Sequence, residues 1–203
     1  NIAIGYYALD VNTTGVANIA VGSGALGGNV AGDQSTAIGT NALFTQNPSG
    51  NADMNNTAVG FYASRLLTTG TNNVAVGAYS SDANTTGENN TAVGATSLTS
   101  NTTGSSNTAI GMNALRDNTT ADNNTIGRGA LETNVTGTGN TAMGHGSLAA
   151  NTADNNTAYG KVSLRYNTSG TKNVAVGLDA LRNNTTASDN TAVGYTALST
   201  NTT

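Results

Sequence analysis

Few side chains here could do chemistry, and most sit at fixed distances from a recurring glycine, counted below as position zero. The one His, His145, has no Ser or carboxylate held near it by the repeat, and there is no Cys. Metal-ligand spacing is missing, and the acidic residues are too scattered for a calcium loop. Gly22-Ser23-Gly24-Ala25 resembles a phosphate loop only loosely and lacks the following helix. Asn and Thr instead supply about a third of the chain. Asn occupies −4 in nearly every unit, including Asn18, Asn56, Asn73, Asn90, Asn107, Asn140, Asn156, Asn173 and Asn190. A second column at +7 holds Asn12, Asn29, Asn84, Asn101, Asn118, Asn151, Asn184 and Asn201. Identical amides stacked at one spacing would form ladders, each donating to the next and accepting from the last. Asn84, Asn101, Asn118 and Asn184 also read formally as glycosylation sequons, a pattern that arises by chance in an Asn/Thr-rich chain. Thr columns at −3, +8 and +9 raise ice binding by a flat hydroxyl array. The −3 column, interrupted by Ile2, Ile19, Val74 and Val174, reads as core. Tyr6, Tyr7, Phe61, Tyr62, Tyr79 and Tyr195 gather at +1 and +2, which fits turn packing, a subunit seam or a strip that stacks on sugars. This inventory predicts no catalysis, no metal and no cofactor.

The elements that position these residues come from the repeat. The glycine recurs at Gly5, Gly22, Gly39, Gly60, Gly77, Gly94, Gly111, Gly127, Gly144, Gly160, Gly177 and Gly194, at spacings of 16 or 17 except one of 21. The consensus is N-T-A-V-G-x-x-A-L-x-x-N-T-T-G-x-x. In N-T-A-V, β-branched residues alternate with Ala, the period-two pattern of a strand. A second short strand is expected at +3 and +4, as in Ala8-Leu9, Ala114-Leu115 and Ala180-Leu181. The zero Gly and N-T-T-G are turn chemistry. No helical stripe survives a Gly and an Asn-Thr-Thr in every unit. One unit therefore makes one coil, and coils stacked about 4.8 Å apart pair their backbones. The predicted fold is all-β, a parallel β-solenoid or β-roll of about twelve 17-residue coils spanning residues 1–203 as one segment.

Composition narrows the reading further. With 9% charged residues, two Phe and no Trp, the chain cannot fill a wide core. A net charge of −4 with one Pro does not fit disorder, and an acidic chain argues against nucleic acid. No apolar run approaches a membrane span, so no membrane contact is expected. Any export signal is expected outside this stretch. No charged residue falls at −4 to 0, +3, +4 or +7, which marks those positions as core walls. Position +5 holds Asp10, Arg65, Asp82, Arg116, Glu132, Arg165 and Arg182 and must face solvent. The 21-residue unit carries its excess in 46–54, expected to bulge outward. Asn47, Pro48, Ser49, Gly50 and Asn51 are its candidate contact residues, the alternative being a tolerated insertion without function. Both ends fall mid-unit, so the chain is expected to belong to a longer fibre.

The unit N-(T/V)-A-(V/I)-G, as in Asn73-Val74-Ala75-Val76-Gly77 and Asn173-Val174-Ala175-Val176-Gly177, strongly resembles the head repeats of YadA-like trimeric autotransporter adhesins. The adhesin unit is shorter. This longer version is similar to repeats of phage tail fibres and of bacterial surface fibres. The resemblance implies a parallel β-roll in three identical chains, at a cell surface or on a virion, with a host surface or glycan as receptor. A thin core independently favours trimerisation, with Ala at −2 and the +3/+4 pair as the expected chain-to-chain face. The expected function is a structural, adhesive, extracellular fibre segment. A phage tail-fibre shaft and an ice-binding surface are the alternatives.

Overall fold

Each N-T-A-V run is extended because β-branched residues flanking one Ala suit a pleated surface. The computed structural model describes residues 1–202 and contains no helix among them. The strands are β1 (Ile2–Ile4), β2 (Ile19–Val21), β3 (Gly32–Asp33), β4 (Thr36–Ile38), β5 (Ala52–Asp53), β6 (Thr57–Val59) and β7 (Val74–Val76). They continue with β8 (Thr91–Val93), β9 (Thr108–Ile110), β10 (Asn123–Ile126), β11 (Asn140–Met143), β12 (Thr157–Tyr159), β13 (Val174–Val176) and β14 (Thr191–Val193). Twelve of them form one sheet in chain order, joined by eleven parallel pairings, so the chain makes about eleven turns of a β-solenoid. Each strand pairs with its equivalent one unit on, as Ala75 does with Ala92 and Ala92 with Ala109. At about 4.8 Å per turn the stack is roughly 50 Å long.

The face that turns inward is the opposite of the one expected. Ala at −2 is the buried face: Ala20, Ala37, Ala58, Ala75, Ala92 and Ala109 have no exposed surface. The β-branched columns at −3 and −1 point out, leaving Ile2, Ile4, Ile19, Ile38, Val74, Val76 and Val193 exposed. The −3 column is therefore not core. The Ala at −2 and the +3/+4 pair are interior, not a chain-to-chain face. The coil is too narrow for two bulky walls, so Ala on one side meets Leu on the other.

The second strand at +3/+4 does not form. Leu26, Leu43, Leu98, Leu115 and Leu131 sit there with φ near +50°, and extended backbone requires negative φ. A left-handed Leu costs about 1–2 kcal/mol. Complete burial of the side chain, worth about 1.5–3 kcal/mol, offsets it. Coils still pair here, through bonds such as Leu98 N–H to the Ala114 carbonyl at 2.9 Å.

The long unit does not interrupt the sheet, since β4 pairs directly with β6. Its extra residues are not all an outward bulge. Gln46 and Met54 are buried, and β5 pairs in parallel with β3. Residues 47–51 and Asp53 remain at the surface, and Asn47 and Asn51 lean back on earlier coils. Thr14 Oγ1 donates to Asn51 Oδ1 at 2.7 Å, and Val30 N–H donates to Asn47 Oδ1 at 3.4 Å. Ser49 and Gly50 form the exposed tip beside a half-buried Pro48, and a Cβ on Gly50 would meet nothing.

Candidate functional site

The Asn column at −4 is buried and spans the stack, but as a mixed network rather than a simple amide ladder. Asn73 Oδ1 accepts the backbone N–H of Asn90 at 3.0 Å, and its Nδ2 donates to the Gly87 carbonyl at 2.9 Å. Its own N–H donates to Asn56 Oδ1 at 2.9 Å. The same N–H to Oδ1 link joins Asn90 to Asn107, Asn140 to Asn156, Asn156 to Asn173 and Asn173 to Asn190. Asn18 Oδ1 accepts the backbone N–H of Ser35, which stands where the column lacks an Asn. Direct amide-to-amide bonds are a minority, such as Asn107 Nδ2 to Asn90 Oδ1 at 3.1 Å. Each Asn thus satisfies backbone groups that a buried wall would leave orphaned.

At +7 the amide closes a turn within its own coil and also bonds the amide of the neighbouring coil, as Asn167 Nδ2 does to Asn151 Oδ1 at 2.7 Å and Asn184 Nδ2 to Asn167 Oδ1 at 2.9 Å, so the expected ladder forms in this column. Asn84 Oδ1 accepts the Gly87 N–H at 2.9 Å while Nδ2 donates to the Gly87 carbonyl at 3.0 Å. Asn84, Asn101, Asn118 and Asn184 are fully buried with engaged amides, so the folded rod offers none of these sequons to glycosylation.

The zero-position glycines hold the coils at backbone contact. Gly111 has φ of +128°, and a Cβ there would stand 2.6 Å from the carbonyl carbon of Gly127. Gly5, Gly22, Gly39, Gly60, Gly77, Gly94, Gly127, Gly144, Gly160 and Gly177 are equally crowded, whereas Gly194 in the last coil meets nothing nearer than 3.9 Å.

The charges at +5 lie side by side on adjacent coils. Arg65 Nη2 donates to Asp82 Oδ2 at 3.3 Å, and Arg116 Nη1 donates to Glu132 Oε1 at 2.5 Å. Arg116 also grips both oxygens of Asp117 at 2.8 Å, which holds that carboxyl below its ordinary range. Burial raises Asp82 against the opposing pull of Arg65.

The aromatic cluster is real in space. Phe61 and Tyr62 stack with centroids 4.1 Å apart, Tyr79 meets both edge-on, and the Arg65 guanidinium lies 4.8 Å above Tyr62. Tyr6 and Tyr7 form a separate exposed pair, and Tyr195 stands exposed at the far end. Sequence reading missed Phe44, which with Tyr7, Val11, Gly27 and Gly28 lines an apolar hollow of about 320 Å³. The adjacent Gly27-Gly28 pair was the available signal.

His145 is not isolated among neutral residues. Its Nε2 lies 2.9 Å from Arg128 Nη2. A guanidinium only donates, so this nitrogen accepts and the ring is neutral. Desolvation, then the charges of Arg128, Lys161 and Arg165, lowers its pKa below the ordinary value. Among the described residues, no three His, Cys, Asp or Glu groups gather as a metal site, and no helix is long and apolar enough to cross a membrane.

The fold and its surface define a repetitive β-solenoid. No protein-family model, curated protein or solved structure matches the chain.

Proposed function

We propose that this chain is a structural, adhesive segment of an extracellular fibre, in which three copies pack side by side. The observation that carries the reading is the outward aliphatic strip of the twelve-stranded sheet. Two columns, at −3 and −1, run along roughly 50 Å and present Ile, Val and Thr to solvent. A strip of that extent, on the order of several hundred Å², is at the upper end of what monomers expose. A second copy is the partner whose rungs repeat at the same spacing, so its side chains interdigitate along the whole length. The core favours the same conclusion, because a wall of Ala against Leu buries little per residue. The head repeats of trimeric adhesins, which the unit resembles, offer a functional parallel. A tail-fibre shaft would use the same physics, and a membrane anchor or a virion-attachment domain elsewhere in the protein would distinguish the two.

Light scattering on the chain tests the proposal. The expected mass is three times that of the chain, and Val76→Asp with Val93→Asp should dissociate it. A well-folded monomer would overturn the reading.

One observation favours a second reading. Thr36, Thr57, Thr91 and Thr108 stand on the outward side of the sheet at rung spacing, which suits an ice-binding array. Thermal hysteresis would support it, and its absence would leave the strip to self-association.

A further inference from the structure

The +1 column carries Arg128, His145 and Lys161 on three successive coils, and Arg165 joins them from +5. In a chain of net charge −4 this is a local reversal of sign. Among the described residues, Arg65, Arg116 and Arg182 each have a carboxylate partner, while Arg128, Lys161 and Arg165 have none. Beside these cations the surface is hollow. Position +2 is Gly at Gly129 and again at Gly146, and Ala149 stands at +5, where the coils before and after carry Glu132 and Arg165. The missing side chains leave a trough of about 210 Å³, bounded by Asn113, Arg128, Glu132, His145 and Arg165. Arg165 reaches over its floor, since a Cβ on Gly146 would stand 3.3 Å from Arg165 Nη1. The single carboxylate in the wall is already neutralised: Glu132 Oε1 accepts from Arg116 and, at 3.2 Å, from Asn113 Nδ2. All lining residues belong to +1, +2 and +5, so the trough is separate from the aliphatic strip.

We infer that this trough binds the acidic end of a saccharide: one sugar unit bearing a carboxylate or sulfate, its anion between Arg128 and Arg165 and its ring over Gly129 and Gly146. The volume exceeds what a bare anion fills and falls below the roughly 300–1,000 Å³ of drug-sized pockets. Guanidinium forks suit carboxylate and sulfate oxygens. Glu132 Oε2, which a Cβ on Gly129 would meet at 3.1 Å, is placed to accept from a sugar hydroxyl, and Asn113, bonded to Glu132 and Thr96, fixes that wall. Met112 at the rim and the glycine floor face the apolar side of a ring. The inference rests on the reading of the chain as an extracellular adhesive rod.

The test is calorimetric titration of the whole chain with glucuronate, glucose 6-sulfate, glucose and inorganic sulfate at low ionic strength. At least one acidic sugar should bind about tenfold or more tightly than glucose or sulfate, which also identifies the anionic group. Arg128→Gln should weaken binding about tenfold or more. Gly146→Asn should fill the trough and abolish binding at unchanged melting temperature, because Asn41 and Asn113 hold the same column at φ of 53° and 59°. Lowering pH should tighten binding. A bound anion between Arg128 and Arg165 offsets the charges of Arg128, Lys161 and Arg165 that face His145, and with Glu132 held by Arg116 it favours a protonated His145. Failure of both acidic sugars, equal binding of inorganic sulfate, or full binding by Gly146→Asn would each overturn the site. A trimer that ignores the sugars would remove the site and leave the fibre reading. A monomer that binds them would do the reverse.

Discussion

Two hollows lie on the same rod, one near the first coils and one beyond its middle, and they differ in everything except their origin. The first is lined by Tyr7, Val11 and Phe44, the second by Arg128, His145 and Arg165. Each opens where small residues replace side chains in the outward columns, Gly27 and Gly28 in one case, Gly129, Gly146 and Ala149 in the other. Beneath both, the inner wall is the same: Ala20 and Ala37 in one region, Ala142 and Ala158 in the other, all buried. The repeat constrains the columns that touch the next coil and leaves +1, +2 and +5 free. Surface chemistry can therefore change from aromatic to cationic without disturbing the stack.

The sharpest way to break that division is at the inter-coil glycines. Gly111→Ala should cost on the order of 2–6 kcal/mol, combining overpacking against Gly127 with positive-φ strain. Gly194→Ala, at φ of +130° but without a crowding neighbour, should cost only the strain, about 1–3 kcal/mol. Denaturation midpoints of the two variants measure the difference. Equal losses would show that backbone approach does not dictate the column.

A smaller loss is expected in the Asn wall. Asn107→Leu orphans the Asn123 N–H, which now donates to Asn107 Oδ1 at 2.8 Å, and removes the bond to Asn90. Each unmade buried group costs about 1–3 kcal/mol. Thr103→Ala, at an exposed position of the same coil, should stay within about 0.5 kcal/mol. Matching thermal melts for the two would contradict a structural role for the amides.

The smallest effect belongs to the outward charges. Asp117→Asn should cost about 0–1 kcal/mol near neutral pH and less in high salt. The carboxyl is held low when folded by its bonds from Arg116. Its contribution is therefore present above the unfolded carboxylate pKa and disappears as pH falls through the folded value. The gap between wild type and variant should close on acidification. A gap that widened would mean that Arg116 does not hold Asp117.

The sequence conveyed a good deal of this at the level of columns. Asn at −4 and Gly at zero could be picked out because the same residue type recurs at one interval, and that interval is the length of chain in one coil. The cationic trough was harder to see, because it depends on departures from the consensus. Gly129 and Gly146 look like ordinary repeat glycines until the stack brings them together. His145 looked solitary because Arg128 and Lys161 are 17 and 16 residues away along the chain but on the neighbouring coils in space. Met54 and Gln46 were grouped with a loop for a similar reason: nothing local shows that the detour starts and ends in the core.

What the sequence by itself determined is the periodicity. One glycine per coil, one short strand and a buried amide wall follow from residue types repeated in register, since only a parallel stack brings like residues together. Tertiary structure alone decided which side of the strand faces in. Alternation of Ala with Val, Ile or Thr establishes that the two faces differ, and bulk would ordinarily send the larger residues inward. The width of the closed coil reverses that choice, because Ala is the side chain that fits opposite Leu26, Leu98 or Leu115 across so narrow a core.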